Sequence, residues 1–224
     1  MRLMSLIILA TLATAAPAHA GWNEYVYPEL GVAKDFPAPP QMEKSTYKAP
    51  LAKEVPDIVL SVVQGGITYR MTVADFSARA GEGANLLGEA ESLRSSGVGK
   101  TATLVDFPLY DKGANSVYGT MLSVDKKDGE HAMSALFFNK GRLYIVEAIV
   151  PPGNPNRLSP DLARFMPSIR FHLEGYGFDV ATGHDYPLGD DSPEDRDTRP
   201  IPGYKPPAGF SPALDQPLAN LLRK

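Results

Sequence analysis

The sequence predicts an α+β fold, in which an antiparallel sheet of about six to seven strands is covered by helices on both faces, an α/β/α sandwich. Three observations lead to this expectation. Between Glu24 and Phe171, strand-length apolar runs alternate with glycine and proline turn signals. Two segments of the same region show helical periodicity instead. The strands expected at the centre are apolar on both sides, so both sides of the sheet have to be covered.

Three strands open the predicted domain, at Asn23 to Tyr27, Val32 to Phe36 and Met42 to Tyr47. Prolines separate them, at Pro28 and in the segment from residue 37 to residue 40. Because proline has no N–H to donate to a strand ladder, these positions mark where the pairing stops.

The next prediction is a β-hairpin from Asp57 to Val73, in which Gly65-Gly66 forms a two-residue turn. The expected cross-strand pairs are Gln64 with Ile67, Val62 with Tyr69, Leu60 with Met71, and Ile58 with Val73. One face of the hairpin is then almost wholly apolar. A shift by one residue would scramble this division, so burial specifies the register.

A helix is expected between Gly83 and Ser96, ended by Gly97. The apolar residues of this segment recur at the spacing of one helical face: Leu86, Leu87, Ala90 and Leu93. The opposite face is expected to meet solvent, and it carries Arg94 with Glu82, Glu89 and Glu91.

A three-stranded meander follows, with strands near Ser116 to Val124, His131 to Phe138 and Arg142 to Val150. With Asn139 to Gly141 as a three-residue loop, the expected pairs are Leu136 with Tyr144 and Ser134 with Val146. A second helix and a last strand close the domain. The helix has Ser159 as its cap and Pro160 at its first position, and the strand runs from Ile169 to Leu173.

The two ends of the chain differ in character from this domain. Residues 1–20 have the features of a Sec-type signal peptide: Arg2, an apolar stretch, and an Ala-x-Ala motif that ends at Ala20. We expect cleavage after Ala20, a periplasmic or secreted protein, and no transmembrane anchor afterwards. The globular domain is expected at residues 21–178. Residues 179–224 are expected to form an acidic, Pro/Gly-rich disordered tail that ends in a short apolar segment.

Composition excludes several classes of protein. The chain has 224 residues, a formal net charge of −4 and no cysteine. A balance this close to neutral argues against binding of nucleic acid through its phosphates. The absence of cysteine excludes disulfide scaffolds, thiolate zinc sites and thiol catalysis.

The order of features resembles the MOG1/PsbP-like superfamily. The resemblance begins with the segment Tyr25-Val-Tyr-Pro-Glu-Leu-Gly-Val-Ala-Lys-Asp-Phe-Pro. A hairpin, a helix and a meander with glycine turns follow, and the segment Phe165-Met-Pro-Ser-Ile-Arg-Phe closes the match. The resemblance covers most of residues 22 to 173 and implies an antiparallel sheet sandwiched by helices. It also implies a non-enzymatic role, since members include photosystem II assembly subunits, a factor for a small GTPase and exported proteins of unknown role.

Two glycine-containing segments are near matches to nucleotide sites. The run from Gly97 to Thr101 resembles the end of a P-loop, but a helix precedes it and a strand-like segment follows, the reverse of the order a P-loop needs. The run from Gly81 to Leu86 has leucine where a dinucleotide site has its third glycine. We therefore expect no nucleotide and no other cofactor.

Catalytic and metal-binding patterns are weak. The mature chain has His131, His172 and His184, with no Gly-x-Ser-x-Gly turn to present a nucleophile. The acidic run after His184 lacks the spacing of a calcium loop, so no metal site is expected.

The candidate binding residues are Arg70 and Glu147, conspicuous as charges within apolar strands. The apolar residues of the C-terminal end form a second candidate, a segment for a partner or for docking on the domain: Leu218, Leu221 and Leu222. These observations lead us to expect an exported, non-enzymatic accessory or protein-binding factor, whose partner is another periplasmic or membrane-associated protein. The alternative is a small-molecule or lipid binder, or a small hydrolase, with a pocket lined by Tyr69, Tyr118 or Tyr144.

Overall fold

A computed structural model describes residues 21–48, 54–96, 98–110, 117–157, 159–173, 176–180 and 184–187. The predicted signal peptide, Gly97 and residues 188–224 lie outside these ranges, and so do Leu218, Leu221 and Leu222. In the described part of the chain, no helix combines the length and the apolar character needed to cross a membrane.

Twelve strands form two antiparallel sheets in the described residues. They are β1 (Asn23–Tyr27), β2 (Val32–Phe36), β3 (Gln41–Tyr47), β4 (Val55–Gln64), β5 (Ile67–Asp75), β6 (Val98–Tyr110), β7 (Val117–Lys126), β8 (His131–Asn139), β9 (Arg142–Val150), β10 (Ile169–Leu173), β11 (Tyr176–Asp179) and β12 (His184–Pro187). The large sheet has the order β3-β4-β5-β9-β8-β7-β6, and the small sheet has the order β1-β2-β10-β11-β12.

Two α-helices and two short 3-10 helices complete the described fold. They are α1 (Gly83–Ser95), α2 (Pro160–Phe165) and the 3-10 helices Pro28–Leu30 and Ser77–Glu82. The Ser159 side chain accepts a hydrogen bond from the backbone N–H of Asp161, so the predicted cap of α2 is present.

Two hydrophobic cores lie on opposite faces of the large sheet. The first core joins that sheet to the small sheet and α2, and it includes Phe36, Tyr144, Phe165 and Phe171. The second core lies under α1, where Leu86, Leu87 and Ala90 contact the opposite face. The expectation that helices cover both faces is therefore not confirmed, because the small sheet, together with α2, covers the face of the first core. The opening and closing strands form a second sheet there, because the pairing of β2 with β10 joins strands about 140 residues apart.

The predicted register of the first hairpin is confirmed, including the pairs Gln64 with Ile67 and Ile58 with Val73. The turn glycines Gly65 and Gly66 have φ values of 59° and 76°, the left-handed conformation that a two-residue turn of this kind requires.

The predicted register of β8 and β9 is wrong by one residue. Asn139 pairs with Arg142, so the loop is the two residues Lys140 and Gly141, and Leu136 pairs with Ile145 instead of Tyr144. Lys140 has a φ of 46° and Gly141 has a φ of 73°. A lysine in the left-handed region is uncommon, which is why composition favoured a longer loop.

The expected start of the tail at residue 179 is also wrong. His184–Pro187 pairs with Tyr176–Asp179 and forms the edge strand of the small sheet. The domain therefore extends at least to Pro187.

Candidate functional site

The pairing of three strands places Arg70, Glu147 and Ser134 in one row across the large sheet. Arg70 on β5 lies opposite Glu147 on β9, and Glu147 lies opposite Ser134 on β8. Residues paired across neighbouring strands share a face of the sheet. This row faces the same side as α1, since Arg94 of that helix reaches Glu147.

Glu147 accepts hydrogen bonds from two arginines that come from different elements. Arg70 donates from Nε (3.1 Å) and from a terminal guanidinium nitrogen (2.6 Å) to one carboxylate oxygen of Glu147. Arg94 donates from Nε (2.9 Å) to the other oxygen, and it also donates to the backbone carbonyl of Ala90 (3.2 Å). Both oxygens of Glu147 are therefore held by charge-assisted hydrogen bonds.

The electrostatics of the site follow from burial. The Glu147 side chain is 8% exposed, and burial alone raises the pKa of its carboxyl group. The positive charges of Arg94 and Arg70 outweigh that effect, so the pKa of Glu147 lies below its ordinary value. Arg94 is 16% exposed, whereas Arg70 is 37% exposed and turns part of its guanidinium group to solvent.

A groove of about 330 Å³ opens over this row, between the end of α1 and the sheet. It is lined by Leu93, Arg94 and Ser96 on the helix side and by Arg70, Glu147, Ile149, Ala132, Ser134, Val124 and Lys126 on the sheet side. Lys126 forms an ion pair with Glu130. Three cations and one carboxylate line the groove, and Glu130 balances Lys126, so a net charge of +1 remains.

An apolar row runs beside the charged row. Val63 pairs with Thr68, Thr68 with Ile149, Ile149 with Ala132, and Ala132 with Val124. The charged row continues onto β4 at Ser61 and onto β7 at Leu122. Each residue of the apolar row lies two positions along its strand from a residue of this extended charged row, so the two rows share one face. Val63, at the outer end, is 67% exposed.

Arg70 and Glu147, the two candidates predicted from their strands, are neighbours in the charged row, whereas the expectation that Arg94 lies on the solvent face of its helix is wrong. Arg94 lies four residues after Ala90 and seven after Leu87, the spacing of the buried stripe. This spacing is the signal that could have placed Arg94 against the sheet.

The three histidines of the described residues lie in β8, β10 and β12. His131 contacts Asp125 through Nδ1 (2.7 Å), and Asp125 also pairs with Arg157. His172 and His184 lie in β10 and β12. In the described residues, no group of three or more His, Asp or Glu side chains is placed to hold a metal ion.

The two glycine-containing segments have the local structure that disfavours nucleotide binding. A 3-10 helix precedes α1, and the buried Leu86 side chain packs in the second core. The strand β6 follows α1, so helix precedes strand at Gly97, which itself lies outside the described residues.

The tyrosines proposed to line a pocket are packed in the first core. Tyr69 is 3% exposed and makes an edge contact with Phe165 at 5.1 Å between ring centroids. Tyr144 is 2% exposed and donates its hydroxyl hydrogen to the carbonyl of Leu30 at 2.9 Å. The side chain of Tyr118 is not among the side chains that the structure describes. A ligand pocket at Tyr69 and Tyr144 is not formed.

Sequence reasoning also missed Lys34, which points into the first core. Lys34 is fully buried, donates to the hydroxyl oxygen of Ser168 (2.5 Å) and to the carbonyl of Phe165, and lies 3.8 Å from the ring centroid of Phe165. Burial lowers its pKa well below the ordinary value. The carbonyl that it contacts belongs to the last residue of α2, so Lys34 caps that helix from within the core.

No protein-family model matches the chain, and no curated protein matches it. Among solved structures, the chain is similar to cyanobacterial PsbP (CyanoP) from Synechocystis sp. PCC 6803. The TM-score is 0.39 and the sequence identity is 11%, and the match covers 71% of this chain and 98% of that chain.

Proposed function

We propose that this protein is an exported, non-enzymatic accessory factor that binds an acidic segment of another protein in the groove at the end of α1. The observation that carries the proposal is the convergence of Arg70 and Arg94 on the buried carboxylate of Glu147, with Lys126 lining the same groove. This arrangement leaves a positive groove whose main cations are already fixed in place.

The chemistry of these groups favours binding over catalysis. Arginine stays protonated at any pH at which a protein folds, so neither guanidinium group is suited to transfer a proton. The lowered pKa of Glu147 makes it a weak base, and both of its oxygens already accept hydrogen bonds. Guanidinium groups are, however, well suited to recognise a carboxylate, because their donors match its two oxygens.

The shape of the groove favours a macromolecular ligand. Its volume of about 330 Å³ is near the lower limit for sites that enclose small molecules. Arg70 at its edge is partly exposed, and the floor continues along the sheet to the exposed Val63. A polypeptide can therefore lie across the opening and direct one acidic side chain into it.

Export is supported by the sequence of residues 1–20, with Arg2 before an apolar stretch and an Ala-x-Ala motif ending at Ala20. The partner is then a periplasmic or membrane-associated protein.

The test is a pull-down with the mature chain, residues 21–224, from periplasmic and membrane extracts. Arg70→Gln is the variant, and Arg79→Gln is its matched control, because Arg79 is 31% exposed and also pairs with a glutamate, Glu82. A specific partner should be recovered by the wild type and by Arg79→Gln and lost with Arg70→Gln or at high salt. Equal recovery with Arg70→Gln, or no partner above background, would refute the proposal.

A further inference from the structure

The charged row and the apolar row together define what kind of segment fits the groove. We infer that the groove binds an extended segment of the partner in which an acidic residue and an aliphatic residue are two positions apart. The acidic side chain pairs with Arg70 and Arg94, and the aliphatic side chain packs on Ile149 and Val63. This inference rests on the proposed function and specifies the sequence of its partner.

The spacing follows from strand geometry. Arg70 and Thr68 lie two residues apart on β5, as do Glu147 and Ile149 on β9, so the two rows are separated by roughly 6.5 to 7 Å. In an extended polypeptide, side chains two residues apart point to the same side at this same separation. One extended segment that runs along the strands therefore places both of its side chains on their matching rows.

Exposure supports an apolar contact at the second row. Val63 is 67% exposed and pairs with Thr68 in the last pair but one before the Gly65-Gly66 turn. Ile149 is half-buried and lines the groove together with Leu93 and Ser96 at the end of α1. The row therefore continues from a covered part at Ala132 and Val124 to an open part at Val63.

The volume of the groove argues for an extended segment over a helix. An α-helix with side chains is about 10 to 12 Å wide and rises 5.4 Å per turn, so two turns occupy roughly 800 Å³ or more. The groove has about 330 Å³. A single extended strand with two inserted side chains is the smaller ligand that this space accommodates.

The partner's charge is set by the groove. Arg70 and Arg94 together exceed the single carboxylate of Glu147 by one charge, while Lys126 is paired with Glu130, so an acidic side chain enters an attractive field. A basic side chain in the same position is repelled by Arg70, and a neutral one accepts only a weaker hydrogen bond from it.

Three synthetic peptides test the spacing, titrated into the isotope-labelled mature chain and followed by NMR. The first is Gly-Ser-Glu-Ser-Leu-Ser-Gly, the second moves leucine next to glutamate (Gly-Ser-Glu-Leu-Ser-Ser-Gly), and the third replaces glutamate by glutamine in the first. The first peptide should shift the resonances of Arg70 and Ile149. The second should bind about tenfold more weakly, because leucine then points away from the apolar row.

Substitutions in the chain test the same contact. Val63→Ser should weaken the first peptide severalfold and leave the second unchanged, whereas Val26→Ser, at an exposed valine on β1 of the small sheet, should change neither. Equal affinity of the first two peptides, or no effect of Val63→Ser, overturns this inference. If Arg70→Gln then still weakens both peptides, the proposed function stands; if it weakens neither, the proposed function fails.

Two other ligands of the groove, a small carboxylate and an acidic segment of the chain itself, would give different results. If glutarate alone binds as tightly as the first peptide, the site recognises a small carboxylate and the inference is refuted. The chain's own acidic residues are tested by neutralising them together: Asp190, Asp191, Glu194, Asp195 and Asp197. If this change shifts the same groove resonances without any peptide, the occupant is the chain itself, and the inference is again overturned.

Discussion

Glu147→Gln is the substitution that tests most directly how the groove is held together. Gln keeps the shape of the side chain but removes its charge and one acceptor, while Arg70 and Arg94 keep their donors. Breaking a fully buried ion pair by removing one partner costs about 3 to 5 kcal/mol. Arg70 is 37% exposed and can bind water instead, so the cost falls mainly on Arg94, which is 16% exposed. We expect the free energy of unfolding to fall by about 1 to 3 kcal/mol at neutral pH.

The pH dependence of this loss has a defined sign. Burial raises the pKa of Glu147, but Arg94 and Arg70 lower it more, so it lies below the ordinary value of 4.5 in the folded protein. A carboxyl group with a lowered pKa stabilises the fold above its unfolded pKa, and this stabilisation is lost as the pH falls through the folded value. The difference in the free energy of unfolding between the wild type and Glu147→Gln is therefore constant near neutral pH and shrinks below about pH 4.5.

The assay is urea denaturation at pH 7, 5 and 3, followed by the fluorescence of Trp22. Trp22 is the single tryptophan, and its ring contacts Tyr69 and Phe165 in the first core. Glu82→Gln is the control, because Glu82 pairs with Arg79 at the surface and should leave stability unchanged. If Glu147→Gln is as stable as the wild type at pH 7, the Glu147 charge does not hold the groove together. A difference in stability that does not shrink in acid would contradict the lowered pKa of Glu147.

Two further predictions concern packing and buried charge. Gly88→Ala should stabilise α1 by roughly 0.5 to 1 kcal/mol in urea denaturation, since no atom lies within 4 Å of the added Cβ. Gly83→Ala in the same helix should destabilise by about 1 to 3 kcal/mol, because its Cβ would lie 2.5 Å from the Phe138 ring; the opposite order of stabilities would contradict this packing. For Lys34, burial lowers the pKa, so unfolding binds protons and wild-type stability should rise with pH towards 10.5. Lys34→Met should lack that rise between pH 7 and 10. If the stabilities of both proteins change with pH in parallel, Lys34 is not the cause of the rise.

Local turn chemistry explains which parts of the fold were predictable. The register of β4 and β5 was predictable because Gly65 and Gly66 adopt the left-handed conformation that glycine favours. The register of β8 and β9 was not, because Lys140 adopts that conformation against its own preference, held by the pairing of Asn139 with Arg142. The side-chain period of a strand is two, so an error of one residue pairs every side chain with the wrong partner.

The layer arrangement was less predictable than the individual strands. Each opening strand was identified from its own residues, but β2 also pairs with β10 at the other end of the domain, as the pairing of Val32 with Phe171 shows. Alternation of apolar residues indicates that a strand has a buried face without indicating what covers it. A helix and a second sheet satisfy that requirement equally well.

The site shows the same division between local and long-range information. Arg70 and Glu147 were conspicuous because each interrupts an apolar strand, yet the sequence does not show that they are direct neighbours. Arg94 has no such signal until its helical spacing from Ala90 is set against the position of the sheet.

Glu147 has a physical role in the groove whether or not a partner is bound. Two guanidinium groups brought together over the central strands of a sheet repel each other, and Arg94 is too buried for water to screen that repulsion fully. A buried carboxylate between them offsets the repulsion and fixes both side chains by hydrogen bonds. The rotamer entropy of Arg94 is therefore lost on folding and need not be lost again on binding, which favours affinity. Arg70 is more exposed and retains more freedom, so most of the ordering cost on binding falls on Arg70.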